Sequence, residues 1–162
     1  RTRCEWKEPV YWLLSSDAEH INLQEMTLNK VNSAQKVVIA QLHVKDDDSP
    51  PVKVFWSKGN ITLGFRKTFN QATPVNSTLL TGVPLGAKFK VTIRVLASGA
   101  LTVTAECNGH AGSSGRLVMD SSWRTLLLNF HGGVYNQIDY TDATPASDGS
   151  ICILSKLSLT HT

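Results

Sequence analysis

Three short segments carry residue types suited to acid–base chemistry on an anionic substrate. Gln41-Leu42-His43 sets an amide and an imidazole two positions apart. In an extended strand such a pair shares one face, about 7 Å apart. Arg1, Arg3 and Glu5 alternate with Thr2, Cys4 and Trp6, so a strand here lines one face with two guanidiniums and a carboxylate. Such a row makes either an ion-pair ladder or a set of Arg forks for a substrate carboxylate. The third segment runs from Asn129 through Phe130, His131, Gly132, Gly133, Val134, Tyr135 and Asn136 to Gln137. Its two glycines let a strand bend or let a ligand approach the backbone. Beyond them Tyr135 and Gln137 share a face. A Tyr beside a basic group donates a proton or, ionised, accepts one. Taken singly, each segment reads more simply as structure: a solvated strand face, an ion-pair ladder, a packed tyrosine ring.

The elements that must position these residues have a period of two. Phe89, Val91, Ile93 and Val95 alternate with Lys88, Lys90, Thr92 and Arg94, one apolar face against one basic face. Val38, Ala40, Leu42 and Val44 alternate with Val37, Ile39, Gln41 and His43, apolar on both faces at first. Residues 101–105 and 151–154 continue the pattern. Ile21 and Leu23, followed by Met26 and Leu28, predict a strand with a bulge between the pairs. Turn residues separate the runs at 47–51, 58–60, 108–109 and 148–149, and 97–100 reads as a hairpin. Residues 111–115 and 141–150 read as loops. No window has a capped helical period. The pattern predicts an all-β fold, a two-sheet β-sandwich or jelly roll.

The chain has 162 residues, 41% apolar and 18% charged, with a formal charge of +3. That is one domain, 1–162, with enough chain for a core, and it excludes a disordered or collagen-like polymer. No apolar run reaches the roughly 20 residues of a membrane span. The mild positive charge suits a polyanionic partner without requiring one. Basic and aromatic residues do not interleave as in a nucleic-acid module. His20, His43, His110, His131 and His161 have no metal-ligand spacing, and no cofactor motif occurs. Cys4, Cys107 and Cys152 allow one disulfide at most. A Cys107–Cys152 bridge and three free thiols are both open.

Taken in order, the three segments resemble the alginate lyases of polysaccharide lyase family 7. That family carries an R-[ST]-E-[LV]-R-type segment, with an R-T-R-C-E-W form in some members. A Q-[IV]-H segment follows, and near the C-terminus comes Y-F-K-A-G-x-Y-x-Q. Pro50 to Val54 and Ser122-Trp123 also look like the family. The chain departs from it at Leu42 in the second motif and at Asn129, His131 and Gly132 in the third. It also begins at the first motif, where members have several dozen residues before it, so an N-terminally incomplete domain with exposed sheet edges is expected.

The resemblance implies a jelly roll with a concave groove and β-elimination on alginate, giving 4,5-unsaturated uronate ends. Arg1 and Gln41 match the residues that neutralise the substrate carboxylate, and His43 and Tyr135 match the base and acid. Tyr135 serves as both when proton and leaving group lie on one side of the sugar. Otherwise His43 is the base. Arg3, Glu5, Lys88, Lys90, Arg94, His131 and Gln137 are expected to bind substrate, with no metal or cofactor. The expected partner is the anionic polysaccharide, not nucleic acid or membrane, and the protein is expected to be a secreted or periplasmic monomer. Leu42 and His131 leave room for another polyuronate such as glucuronan. A non-catalytic carbohydrate-binding jelly roll is the other class.

Overall fold

The computed structural model describes residues 1–162. The strands are β1 (Arg3–Lys7), β2 (Glu19–Lys30), β3 (Lys36–Val44), β4 (Val52–Ser57), β5 (Asn60–Phe65), β6 (Val75–Leu80), β7 (Lys88–Leu96), β8 (Ala100–Cys107), β9 (His110–Ser113), β10 (Leu117–Val118), β11 (Leu128–Asn136) and β12 (Ile151–His161). One antiparallel sheet runs β1-β11-β3-β4-β5-β6. The other runs β10-β8-β7-β2-β12, with β9 paired to β8. The expected two-sheet all-β jelly roll is the observed one. The strand at 88–96, the 97–100 hairpin and the turns at 58–60 and 108–109 fall where the alternation placed them. Residues 111–113, expected as loop, are instead strand: β9 pairs with β8 through Ala111 and Gly112.

The alternation slips once where it matters most. Val37 and Ile39 reach the core, and so do Ala40, Leu42 and Val44. Ile39 and Ala40 are adjacent, so one extra residue has been inserted. The β3–β4 register shifts between Val38 and Ala40, and the β11–β3 register shifts between Gly132 and Tyr135. Neighbouring bulges of this kind bend a sheet and re-aim its side chains. Here the slip takes apolar Val37 and Ile39 inward and leaves Gln41 and His43 on the outer face. Gly133 supplies the backbone that the bulge needs, at φ +126°. A Cβ on Gly132 would lie 2.3 Å from Gln24 Oε1 and 2.7 Å from the Trp6 ring.

In β2 the expected bulge is absent. Its register with β7 is continuous from Glu19 to Thr27. The buried residues are His20, Asn22, Gln24, Met26 and Leu28, so Ile21 and Leu23 point outward. Three polar residues inside misled the apolar count, and two of them have partners there. The Gln24 amide donates to the Ile39 carbonyl at 2.8 Å. His20 stacks on Trp12 with 4.0 Å between ring centroids. Its Nδ1 meets His161 Nδ1 at 2.7 Å, and its Nε2 donates to the Leu14 carbonyl at 3.0 Å. His161 Nε2 in turn donates to Glu8, whose other oxygen accepts from Trp12 Nε1 and the Phe130 amide, both at 2.9 Å. This network ties both ends of the chain across the two sheets.

The sandwich is open along β12. Leu154 and Leu157 pair in register with core-facing Met26 and Gln24 but stay 37% and 39% exposed. Ile151 and Ile153 are also exposed, and β12 has a strand neighbour on one side only.

Candidate active site

Four adjacent strands, β1, β11, β3 and β4, build one polar face on the outside of the first sheet. Their cross-strand partners define it: Arg3 opposite Tyr135, Lys7 opposite His131, His131 opposite Gln41, Asn129 opposite His43, and Gln41 opposite Lys53. Directly opposed residues in an antiparallel pair point to the same side. The three motifs, distant in sequence, therefore converge on a single surface.

At one end the Arg3 guanidinium lies 3.9 Å from the centre of the Tyr135 ring, with the Lys53 ammonium 6.0 Å from it. Arg3 also reaches Glu5 at 3.5 Å. Glu5 accepts from the Gln41 amide at 2.8 Å, so its carboxylate is spent on orienting Gln41 and Arg3. Burial pushes the Glu5 carboxyl up, opposed by Gln41 and Arg3. On the same face as Arg3 and Lys7, Glu5 is thus engaged with two of the groups expected to meet the substrate. Gln41 keeps its second amide hydrogen for a ligand.

His43 lies beside this group. Burial, and then the cations Lys7, Lys53 and Arg3, hold its imidazole below the ordinary histidine value. The ring is therefore neutral at neutral pH and able to accept a proton. His131 stacks on it, centroids 4.5 Å apart and planes 10° from parallel. His131 is only 6% exposed, and burial, His43 and the nearby cations push its pKa down to about 3. Burial and Arg66, Arg1 and Arg3 also lower the Lys53 ammonium.

Other expected contacts fall elsewhere. Arg1 lies just beyond β1, donating to Gln137 Oε1 at 2.9 Å and pairing with Asp139 at 3.0 Å. Arg3, not Arg1, is the guanidinium beside Tyr135. With Glu5 and Lys7 it also fits an R-x-E-x-basic spacing, which Arg1, two residues earlier, does not. Gln137 lies at the rim with Arg1. Lys88, Lys90 and Arg94 are not on this face at all. They project from β7 in the opposite sheet, paired with Glu25, Glu106 and Glu19. Their basic stripe is real in sequence but is neutralised strand by strand. Lys7 and Lys53 are the cations that sequence reasoning missed. Lys7 simply continues the Arg3, Glu5 alternation and was legible there; Lys53 needed the strand pairing.

The three cysteines are free thiols. Cys107 on β8 and Cys152 on β12 have β7 and β2 between them. Three strand spacings, about 14 Å, exclude the bridge. Away from the polar face, Asp17, His20 and His161 bring their ligand atoms within 4.8 Å of one another. The two imidazole nitrogens touch at 2.7 Å. Nitrogens on a tetrahedral zinc, each about 2.0–2.1 Å from it, stand roughly 3.3 Å apart. That spacing is too short for two ligands of one zinc.

A family model described as alginate lyase matches residues 1–161. No curated protein sequence matches the chain. Among solved structures, alginate lyase PA1167 of Pseudomonas aeruginosa superposes with a TM-score of 0.83 at 25% identity, covering 99% of this chain and 74% of its own. A variant of the family 7 alginate lyase A1-II′, solved in complex with a substrate (GGMG), gives 0.76 at 24% identity, covering 99% and 70%. The alginate lyase of a Corynebacterium species gives 0.71 at 20%, covering 96% and 63%. The last two likenesses, at these identities, speak for the fold.

Proposed function

Because the chain belongs to the alginate lyase family, we propose that it cleaves alginate by β-elimination on the polar face of the first sheet. The observation that carries this reading is the convergence of Arg3, Gln41, His43 and Tyr135 from three neighbouring strands. Elimination needs the uronate carboxylate neutralised, so that the C5 proton becomes acidic. The Arg3 fork and the free Gln41 amide hydrogen supply that, with Lys7 and Lys53 adding positive potential. Neutral His43 takes the C5 proton when it lies opposite the leaving oxygen, and Tyr135 protonates that oxygen. When both lie on one side, Tyr135 acts from its phenolate form, taking the C5 proton and returning it to the oxygen. The two uronates of alginate differ in configuration at C5, so each presents one of these cases.

A polymer of this kind meets the enzyme outside the cell or in the periplasm, and the proposal places the protein there. No helix is long and apolar enough to cross a membrane. The test is ultraviolet absorbance of the unsaturated product on polymannuronate, polyguluronate and glucuronan. A rise on either alginate block is expected. A rise on glucuronan alone would reassign the substrate, and a folded chain silent on all three would make this a binding module. Tyr135→Phe is expected to lower kcat by about 10³-fold while alginate binding persists. Normal turnover in that variant would remove Tyr135 from the chemistry.

A further inference from the structure

The stacked imidazoles carry an inference that rests on the lyase reading and deepens it. We propose that His131 is a positioning residue, a neutral plate that fixes the plane of the His43 ring, and not a substrate contact. A histidine base is ordinarily held by a hydrogen bond from one ring nitrogen to a carboxylate or carbonyl. No hydrogen bond from the chain reaches either ring nitrogen of His43; what holds the ring is the parallel face of His131, 4.5 Å away.

His131 is itself locked by a chain of obligatory donors and acceptors. The Glu8 carbonyl can only accept, and it takes the Asn129 amide hydrogen at 3.0 Å. That orients the amide so that its oxygen faces His131, 3.0 Å from Nε2. The oxygen too can only accept, so Nε2 carries the hydrogen and Nδ1 is bare. The ring is neutral in this tautomer and cannot swing without breaking a buried contact. Asn129 is fully buried, and the one hydrogen-bearing nitrogen of His131 is spent on it, which leaves His131 no donor for a sugar. A second proton on His131 is opposed by its burial and by His43, Lys7 and Arg3. The plate covers one face of His43 and leaves its nitrogens to the open side.

The charge of the plate also matters. Lys7 on β1, Lys53 on β4 and Arg3 already lower His43, and Asp48 acts against them. A cation in place of His131 would depress His43 further, and a hole would let water in and raise it. Position 131 thus sets both the geometry and the basicity of the base.

Three variants of the whole chain test this: His131→Ala, His131→Phe and His131→Lys. On the alginate block for which His43 is the base, the alanine variant is expected to lose about 30- to 100-fold in kcat, the scale of a misplaced catalytic group. Its KM should move less than about threefold. The phenylalanine variant, which restores a plate, should recover most of that loss. In the resting enzyme, the His43 ring titration followed by NMR should move up in the alanine variant and down in the lysine variant. Each shift should be at least about half a pH unit. A raised KM with unchanged kcat would make His131 a substrate contact and overturn the proposal. So would a His43 titration identical in all three variants. The titration needs no turnover. A wild-type chain inactive on every polyuronate would therefore sink the lyase reading while the pairing was still decided. Should the alanine variant fail to fold, an unmoved His43 titration in the lysine variant overturns the proposal by itself.

Discussion

At the scale of single residues, the site is a division of labour between groups that face the substrate and groups that hold them. Glu5 and His131 were both expected to bind substrate, Glu5 from its place in the Arg1, Arg3, Glu5 row and His131 from the family resemblance. In the structure each is engaged with a neighbour on that face, Glu5 with Gln41 and His131 with His43. Arg1 and Arg3 show the reverse ambiguity. Both guanidiniums share the parity, but only Arg3 is opposite Tyr135 in register. Arg3→Ala is accordingly expected to cost about 10²-fold in kcat/KM. Arg1→Ala, an exposed pair with Asp139, should change it by less than about threefold. Steady-state assays on one alginate block decide between them. The pH profile follows from His43. The base works unprotonated, and its lowered pKa keeps it so below the ordinary value near 6.5. On the uronate for which His43 is the base, the acid limb of kcat/KM should therefore fall below pH 6.5. A limb above that pH would contradict the electrostatics described here.

At the scale of elements, the paired bulges in β3 and β11 are what make a site from a strand. A straight β3 would set Val37 and Ile39 on the face of Gln41 and His43. The slip separates them, and Gly133 in β11 accommodates it. Gly133→Ala would force a left-handed φ of +126° on a residue with a Cβ and bring that atom 2.5 Å from the Cys4 carbonyl. The expected result is a loss of about 2–3 kcal/mol, read as a lower denaturant midpoint. Activity should fall further than stability, because β1 carries Arg3 and Glu5 and pairs only with β11.

At the scale of the whole molecule, the Glu8–His161–His20 network spans both sheets and both chain ends. Glu8 accepts three hydrogen bonds, so its carboxylate is fully used, and only a donor at His161 fits. His161→Ala leaves that carboxylate buried with one oxygen unpartnered. The expected cost is about 3 kcal/mol, or roughly 6–12 °C in Tm for a chain of this size. Thermal unfolding by circular dichroism checks it. The network lies at the His161 end of β12, whose Leu154 and Leu157 stay partly exposed.

Much of this was legible in the sequence. Strict alternation at 88–95, the turn residues and the absence of helical periods were enough for an all-β sandwich, because a strand's faces follow directly from its period of two. Gln41, His43 and Tyr135 stood out only together, through the family resemblance of their three segments in order; singly each read as structure. What local pattern cannot encode is which faces meet. The basic stripe of Lys88, Lys90 and Arg94 has the composition of a binding surface, but sheet order puts it on the far side, against carboxylates from β2 and β8. His20, Asn22 and Gln24 read as an outer face, yet they are buried inside the sandwich. The bulge in β3 leaves no mark in a run of apolar residues. It becomes visible only when β4 and β11 set its register. Residue type and spacing determined the strands and the chemistry available. Strand order, register and burial decided which of those residues stand together, because each is a contact between segments far apart in the chain.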